Sequence, residues 1–180
     1  MFKKFILTAV AILFISGCGR AEKIARIEQK CANNEAVWCL KLGKTYARRD
    51  INKGVMYYQK ACDLGDKRGC YRLAVLLNSK SINSKKDNET IVKSLTKSCD
   101  LGTPKACFEL GEYYEDDPKM QSKANELFTK SCEQRFGLAC YKLADFYGEK
   151  NDAATQKSYL ELACKYRYKV ACEEVAEDKK

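Results

Sequence analysis

Apolar residues return along the chain at the offsets that put them on one face of an α-helix. Counted from Cys39, Cys70, Cys107 and Cys140, the residues three, four and seven places on are Leu42, Gly43 and Tyr46; Leu73, Ala74 and Leu77; Leu110, Gly111 and Tyr114; and Leu143, Ala144 and Tyr147. After Cys172 the pattern is cut short at Val175 and Ala176. These segments predict a series of A helices, in which Gly or Ala lets a neighbour approach while Leu and Tyr fill the space around it. Four places before Cys31, Cys62, Cys99, Cys132 and Cys164 stand Ile27, Tyr58, Leu95, Phe128 and Leu160. They predict the buried face of a second series, the B helices.

The boundary residues agree with this division. Thr103 before Pro104, and Asp117 before Pro118, read as N-caps followed by proline at the first helical position; these are the only two prolines. Gly65 and Gly102, three residues past their cysteines, suit the left-handed residue that ends a helix. Arg135 and Arg167 hold that column later on, which predicts a different closure there. The reading is therefore an N-terminal half-unit at about 20–32, units starting near 36, 67, 104 and 137, and a closing helix from about 168 that turns polar like a solenoid cap. The polar stretch 78–90, "NSKSINSKKDNET", predicts an exposed loop that lengthens the second unit.

Cysteine spacing marks the same units. Ten of the eleven cysteines form five pairs, 31/39, 62/70, 99/107, 132/140 and 164/172, with seven residues inside each pair. Successive pairs are offset by 31, 37, 33 and 32 residues, the period of helical-hairpin repeats. Each pair spans the last turn of a B helix and the first turn of the next A helix. Helix axes packed about 8 to 10 Å apart leave facing Cα atoms roughly 4 to 5 Å apart, close to what a disulfide needs. A staple is the leading reading. The alternatives are a metal clamp, for which the spacing is wrong and histidine is absent, and a redox pair, for which there is no CxxC.

The N-terminus sets the compartment. "MFKKFILTAVAILFISGC" has two lysines, an apolar stretch from Phe5 to Phe14 and small residues at its end, as in a secretory signal. The ending "ISGC" resembles a bacterial lipobox, which implies cleavage of residues 1–17 and lipid attachment to Cys18. Gly19, in place of aspartate, favours the outer membrane, facing the periplasm or the surface; a secreted or periplasmic protein is the alternative. Removal of 1–17 lowers the formal charge from +9 to +7. In an exported chain, paired cysteines read as a disulfide framework. The expected layout is a signal peptide at 1–17, a lipidated N-terminus and capping helix at 18–35, and a repeat domain at 36–180.

"YYQKACDLGDKRGCYRLA", echoed by "KSCDLGTPKACFELGEYY" and "ACYKLADFYG", resembles the Sel-like repeats of the Helicobacter cysteine-rich protein family, relatives of tetratricopeptide repeats. The resemblance spans essentially the whole mature chain. It implies an all-α fold, a right-handed α/α superhelix of helical hairpins, with each cysteine pair oxidised. One departure is Trp38, which stands where the other repeats have Gly69, Ala106, Ala139 and Ala171; that end is expected to be less regular.

Two functions of different class follow. The first is a scaffold that binds a protein, a peptide or peptidoglycan in a groove lined by the A helices, with Lys41, Arg72, Glu109 and Lys142 as its charged positions and Leu76, Tyr113 and Phe146 as its apolar anchors. The second comes from the resemblance: members of that family are described as penicillin-binding proteins with weak β-lactamase activity, which would make a β-lactam the ligand. Ser94 and Lys97 in "SLTK" form the one SxxK, and Ser81 to Asn83 an SxN, but there is no KTG. Lys97 shares its column with Lys60 and Lys130, so the repeat alone accounts for it. No metal or other cofactor is expected. Nucleic acid is not an expected partner, because the lysines are scattered among 24 acidic residues; a monomer held at the membrane by its lipid is.

Overall fold

The computed structural model describes residues 19, 21–79 and 85–177. Cys18 and Ser81–Asn83 therefore lie outside the described residues. The described chain is all-α. It begins with α1 (residues 21–32) and continues with α2 (Ala36–Tyr46), α3 (Ile51–Asp63), α4 (Lys67–Ser79), α5 (Lys85–Asp100) and α6 (Pro104–Glu115). Then follow α7 (Gln121–Glu133), α8 (Gly137–Glu149), α9 (Ala153–Lys165) and α10 (Lys169–Glu177). Even-numbered helices are the A series and odd-numbered ones the B series, and the A helices start within a residue of their predicted positions.

The chain divides into two compact units, one ending at Gly69 and one starting at Cys70. In the first, Ile27 of α1, Leu40 and Leu42 of α2, and Tyr58 and Ala61 of α3 form the buried core. Gly43 presses on the ring of Tyr58 so closely that a Cβ there would collide with it. In the second unit, Ala74, Leu95, Ala106 and Leu110 form one cluster, and Phe108, Ala124, Phe128, Leu143 and Ala163 a second. The Leu and Gly/Ala columns of α2, α4, α6 and α8 are buried, whereas Tyr46, Tyr114, Tyr147, Leu160 and Val175 are half-buried and Ala176 is exposed.

Each B helix turns into its A helix through the same corner. Asn34, Gly65, Gly102, Arg135 and Arg167 all have positive φ, between 63° and 86°. In each case the left-handed residue's N–H bonds to the carbonyl three residues back, and the next N–H bonds five back, as in Gly102 to Cys99 and Thr103 to Ser98, both 3.0 Å. This is the Schellman closure. The expectation that Arg135 and Arg167 would close differently is thus corrected: the corner geometry is imposed by the hairpin and its cross-link, and the arginines take the glycine conformation.

Cross-links sit at these corners. Cys31–Cys39, Cys99–Cys107, Cys132–Cys140 and Cys164–Cys172 are bonded with Cα atoms 4.6 to 4.8 Å apart, and Cys62 and Cys70 are disulfide-bonded as well. The corner beside Trp38 has the same Cα separation as the others, so that end is not less regular there. Trp38 is half-buried, with Lys30 Nζ 4.3 Å and Lys41 Nζ 4.8 Å from its ring centre.

Two boundaries differ from the reading of the sequence. Asp117 does not cap a helix; its carboxylate accepts from the N–H of Lys119 in a turn, and α7 starts only at Gln121 with Met120 as its N-cap. The stretch 78–90 is not one loop, since Asn78 and Ser79 end α4 and α5 is helical from Lys85. Asp87 lies in the first turn of α5, where a carboxylate is favourable; the helical register outweighs the polar composition.

Candidate functional site

Two grooves open between successive A helices of the second unit. The larger has a volume of about 630 Å³ and lies among α4, α5 and α6. Ala74, Ile91 and Leu95 give it an apolar floor, and Asn78, Asn88, Lys105, Glu109, Glu112 and Tyr113 give it a polar rim. The smaller, about 300 Å³, lies among α6, α7 and α8; Phe128 and Phe146 line it together with Glu115, Asp145, Glu149 and Lys142.

Of the residues expected to form a groove, Glu109 and Tyr113 meet in the larger one and Lys142 and Phe146 in the smaller. Tyr113 is 51% exposed, with its ring edge-on to Tyr114 at a centroid separation of 5.4 Å. Arg72 and Leu76, on α4, line neither groove, and Lys41 belongs to the first unit. Ser94 is buried at 3% exposure and Lys97 is half-buried.

Contacts between A helices set the rim. Tyr71 Oη donates to Glu109 at 2.6 Å, and Tyr141 Oη donates to Glu174 at 2.7 Å. In both pairs a tyrosine one place after its cysteine reaches a glutamate two places after the next A-helix cysteine. Burial, the Glu109 hydrogen bond and the Glu109 charge push the Tyr71 phenol up; the Glu174 hydrogen bond, then burial, do so for Tyr141. Both tyrosines stay protonated donors. Between these pairs the tyrosine column holds Phe108, which has no hydroxyl, and Lys142 instead pairs with Glu115 at 2.9 Å.

Carboxylates crowd this face. Burial raises the Glu112 carboxyl, with Glu115 and Glu109 adding to the rise and Lys142 opposing it. Burial also raises Asp145, helped by Glu174 and Glu149 and opposed by Lys142. Helices α6, α8 and α10 carry eight carboxylates against three lysines, whereas α2 and α4 carry only cations among their charged residues. Reading columns singly misses Tyr71, Glu112, Asn88 and Asp145; the signal for them is the tyrosine–glutamate pairing between consecutive A helices and the charge reversal along that series. Among the described residues no group of three His, Cys, Asp or Glu side chains is placed to hold a metal ion, and no helix is long and apolar enough to cross a membrane.

The same hairpins occur in known proteins. A Sel1 repeat protein from Oxalobacter formigenes is 24% identical, with a TM-score of 0.66 over 76% of this chain and 42% of its own. A protective antigen of uropathogenic Escherichia coli displaying an SLR fold is 19% identical, with a TM-score of 0.71 over 86% of this chain and 35% of its own. Cysteine-rich protein B of Helicobacter pylori is 26% identical, with a TM-score of 0.54 over 69% of this chain and 94% of its own. The chain thus spans less than half the length of the first two. No curated protein matches the sequence. The model of the Sel1 repeat matches residues 32–66, 104–136 and 137–165, omitting the stretch lengthened between α4 and α5. With just over half of its residues in such repeats, the chain belongs to the Sel1 repeat family.

Proposed function

We propose that the protein is an exported scaffold, held at a bacterial outer membrane by a lipid on Cys18, whose A-helix grooves bind an extended segment of a partner protein or cell-wall peptide. The observation that carries this reading is the groove of about 630 Å³ with an apolar floor, an exposed Tyr113 and the carboxylates of Glu109 and Glu112 on its rim. Its volume lies within the range of ligand clefts. An aromatic anchor beside apolar floor residues is the kind of site where binding energy concentrates, and the carboxylates favour a lysine or arginine on the incoming segment. Disulfides of this density belong to an oxidising compartment outside the cytoplasm, which supports export. The lipobox-like "ISGC" supports the anchor.

Pull-down from envelope extracts with the oxidised protein tests the groove. The captured partner should be lost with Tyr113→Ala and with Glu112→Lys, and after reduction of the disulfides; retention by both variants would move the site elsewhere. Radiolabelled palmitate incorporated by the native chain and not by Cys18→Ala tests the anchor. Lactam hydrolysis draws on the family resemblance alone, since neither groove is lined by Ser94 or Lys97. Nitrocefin turnover abolished by Ser94→Ala would revive it.

A further inference from the structure

Away from the A-helix grooves, the α7–α8 corner and the α9–α10 corner stand side by side. Gly137, the first residue of α8, allows this: a Cβ on it would lie 3.0 Å from the carbonyl oxygens of Ala163 and Tyr166 and from Tyr168 Cβ. A larger residue there would push the corners apart. Between them lies a cleft of about 400 Å³ lined by Arg135, Lys165, Tyr166 and Arg167.

All three cations are exposed. Among the described residues none of the three pairs with a carboxylate, whereas Lys130, Lys142 and Lys169 each do. The cleft lining holds no acid. Its two arginines also occupy the left-handed backbone position, φ 66° at each, that Gly65 and Gly102 fill in earlier hairpins. Glycine takes that conformation freely and an L-residue does not. A cation near a helix C-terminus is favourable by itself, which accounts for one charge per corner. It does not account for two corners, brought together over a glycine, turning three unpaired cations and a phenol into one cleft.

We propose that this cleft binds a phosphate group. The planar guanidinium forks of Arg135 and Arg167 match phosphate oxygens two at a time, Lys165 adds a point charge, and the Tyr166 hydroxyl is available as a further donor. Three positive charges suit a phosphate better than the single charge of a carboxylate. The group has two possible sources, a soluble phosphate ester or the headgroup of an anionic phospholipid, and the cleft chemistry is common to both.

The test uses the full oxidised chain. Inorganic phosphate titrated at constant ionic strength should give saturable NMR shifts confined to Arg135, Gly137, Tyr166 and Arg167. The double variant Arg135→Gly/Arg167→Gly should bind at least about tenfold more weakly, as expected for loss of charge-assisted pairs, while its melting temperature rises because glycine relaxes both corners. Weaker binding in a more stable protein cannot be ascribed to unfolding. Arg135→Gln, which keeps the native corner, should weaken binding as well. Co-sedimentation with phosphatidylglycerol vesicles but not phosphatidylcholine vesicles, lost in the double variant, would assign the headgroup; phosphate binding without vesicle retention would assign a soluble ester. Unchanged affinity in the double variant, shifts spread over all surface lysines, or binding to neither phosphate nor phosphatidylglycerol would overturn the proposal.

Discussion

Gly111 of α6 faces the ring of Phe128 of α7 with no space for a side chain: a Cβ would meet Phe128 Cε1 at 2.6 Å. Gly43 stands in the same relation to Tyr58. Where the B helix carries Leu95 or Leu160 in place of a ring, the A-helix column carries Ala74 or Ala144. The hairpin thus has two solutions, glycine against an aromatic and alanine against leucine. Gly111→Ala should destabilise, since overpacking of about 1 to 3 kcal/mol exceeds the roughly 1 kcal/mol that alanine gains in helix propensity. Adding Phe128→Leu should recover much of the loss, because it switches the hairpin to the other solution. Urea unfolding of the two single variants and the double variant checks this, and additive effects with no coupling would refute it.

Much of this packing is legible in the sequence because each hairpin buries the same faces, so columns such as Leu42, Leu73, Leu110 and Leu143 report one environment four times. The cysteine spacing was equally transparent, since only a short corner brings Cys132 and Cys140 within 4.8 Å. Reading failed where residue type and column disagreed. Arg135 and Arg167 are poor residues for the left-handed corner that Gly65 and Gly102 announce, yet the hairpin forces them into it. Asp117–Pro118 has the chemistry of a helix start, but a turn intervenes before Gln121. The grooves were only half visible. Glu109 and Tyr113 could be named from exposure, whereas Asn88 enters from α5 and Glu112 depends on how α4 and α6 approach each other, which no single repeat encodes.

The left-handed corners give a prediction with opposite signs at equivalent positions. Gly102→Ala should lower stability by about 1 to 2 kcal/mol, the cost of an L-residue in that conformation. Arg135→Gly should raise it by up to about 1 kcal/mol, reduced by the greater freedom glycine gives the unfolded chain. Thermal unfolding of both variants, each compared with the native chain, measures the pair. Equal signs would mean that the corner does not impose the conformation.

Two carboxylates, the half-buried Asp66 and the more exposed Asp145, should respond to pH in opposite directions. Burial pushes Asp66 up, but hydrogen bonds from the Arg68 guanidinium and the Gly69 N–H, with the Arg68 charge, more than reverse this and hold it below the ordinary range. Its contribution to stability is therefore complete above the unfolded value near about 3.9 and is lost as pH falls through the lower folded value. Asp145 is raised, by burial first and then by Glu174. Its ionised form opposes folding at neutral pH, and that penalty disappears in acid. Asp66→Asn should destabilise at pH 7 and Asp145→Asn should stabilise, both differences shrinking toward pH 3. Melting temperatures between pH 3 and 7 decide it; a difference that grows on acidification contradicts the assigned shift.

The corner cross-links should act locally and unequally in their consequences for binding. Each closes a loop of residues eight apart in sequence, and under the chain-entropy model such a loop contributes roughly 2 to 3 kcal/mol. Cys99→Ala/Cys107→Ala joins α5 to α6 less firmly, and those helices carry Asn88, Ile91, Glu109 and Glu112 of the larger groove. Cys132→Ala/Cys140→Ala instead loosens the corner that presents Arg135. Similar losses of stability are therefore expected from the two double variants, with partner capture weakened by the first and phosphate binding by the second. Peptide mapping of the native chain without reductant should recover links only between nearest cysteines. If both variants lose both activities together, the corners transmit strain through the whole unit, and the hairpins do not behave as separately stapled parts.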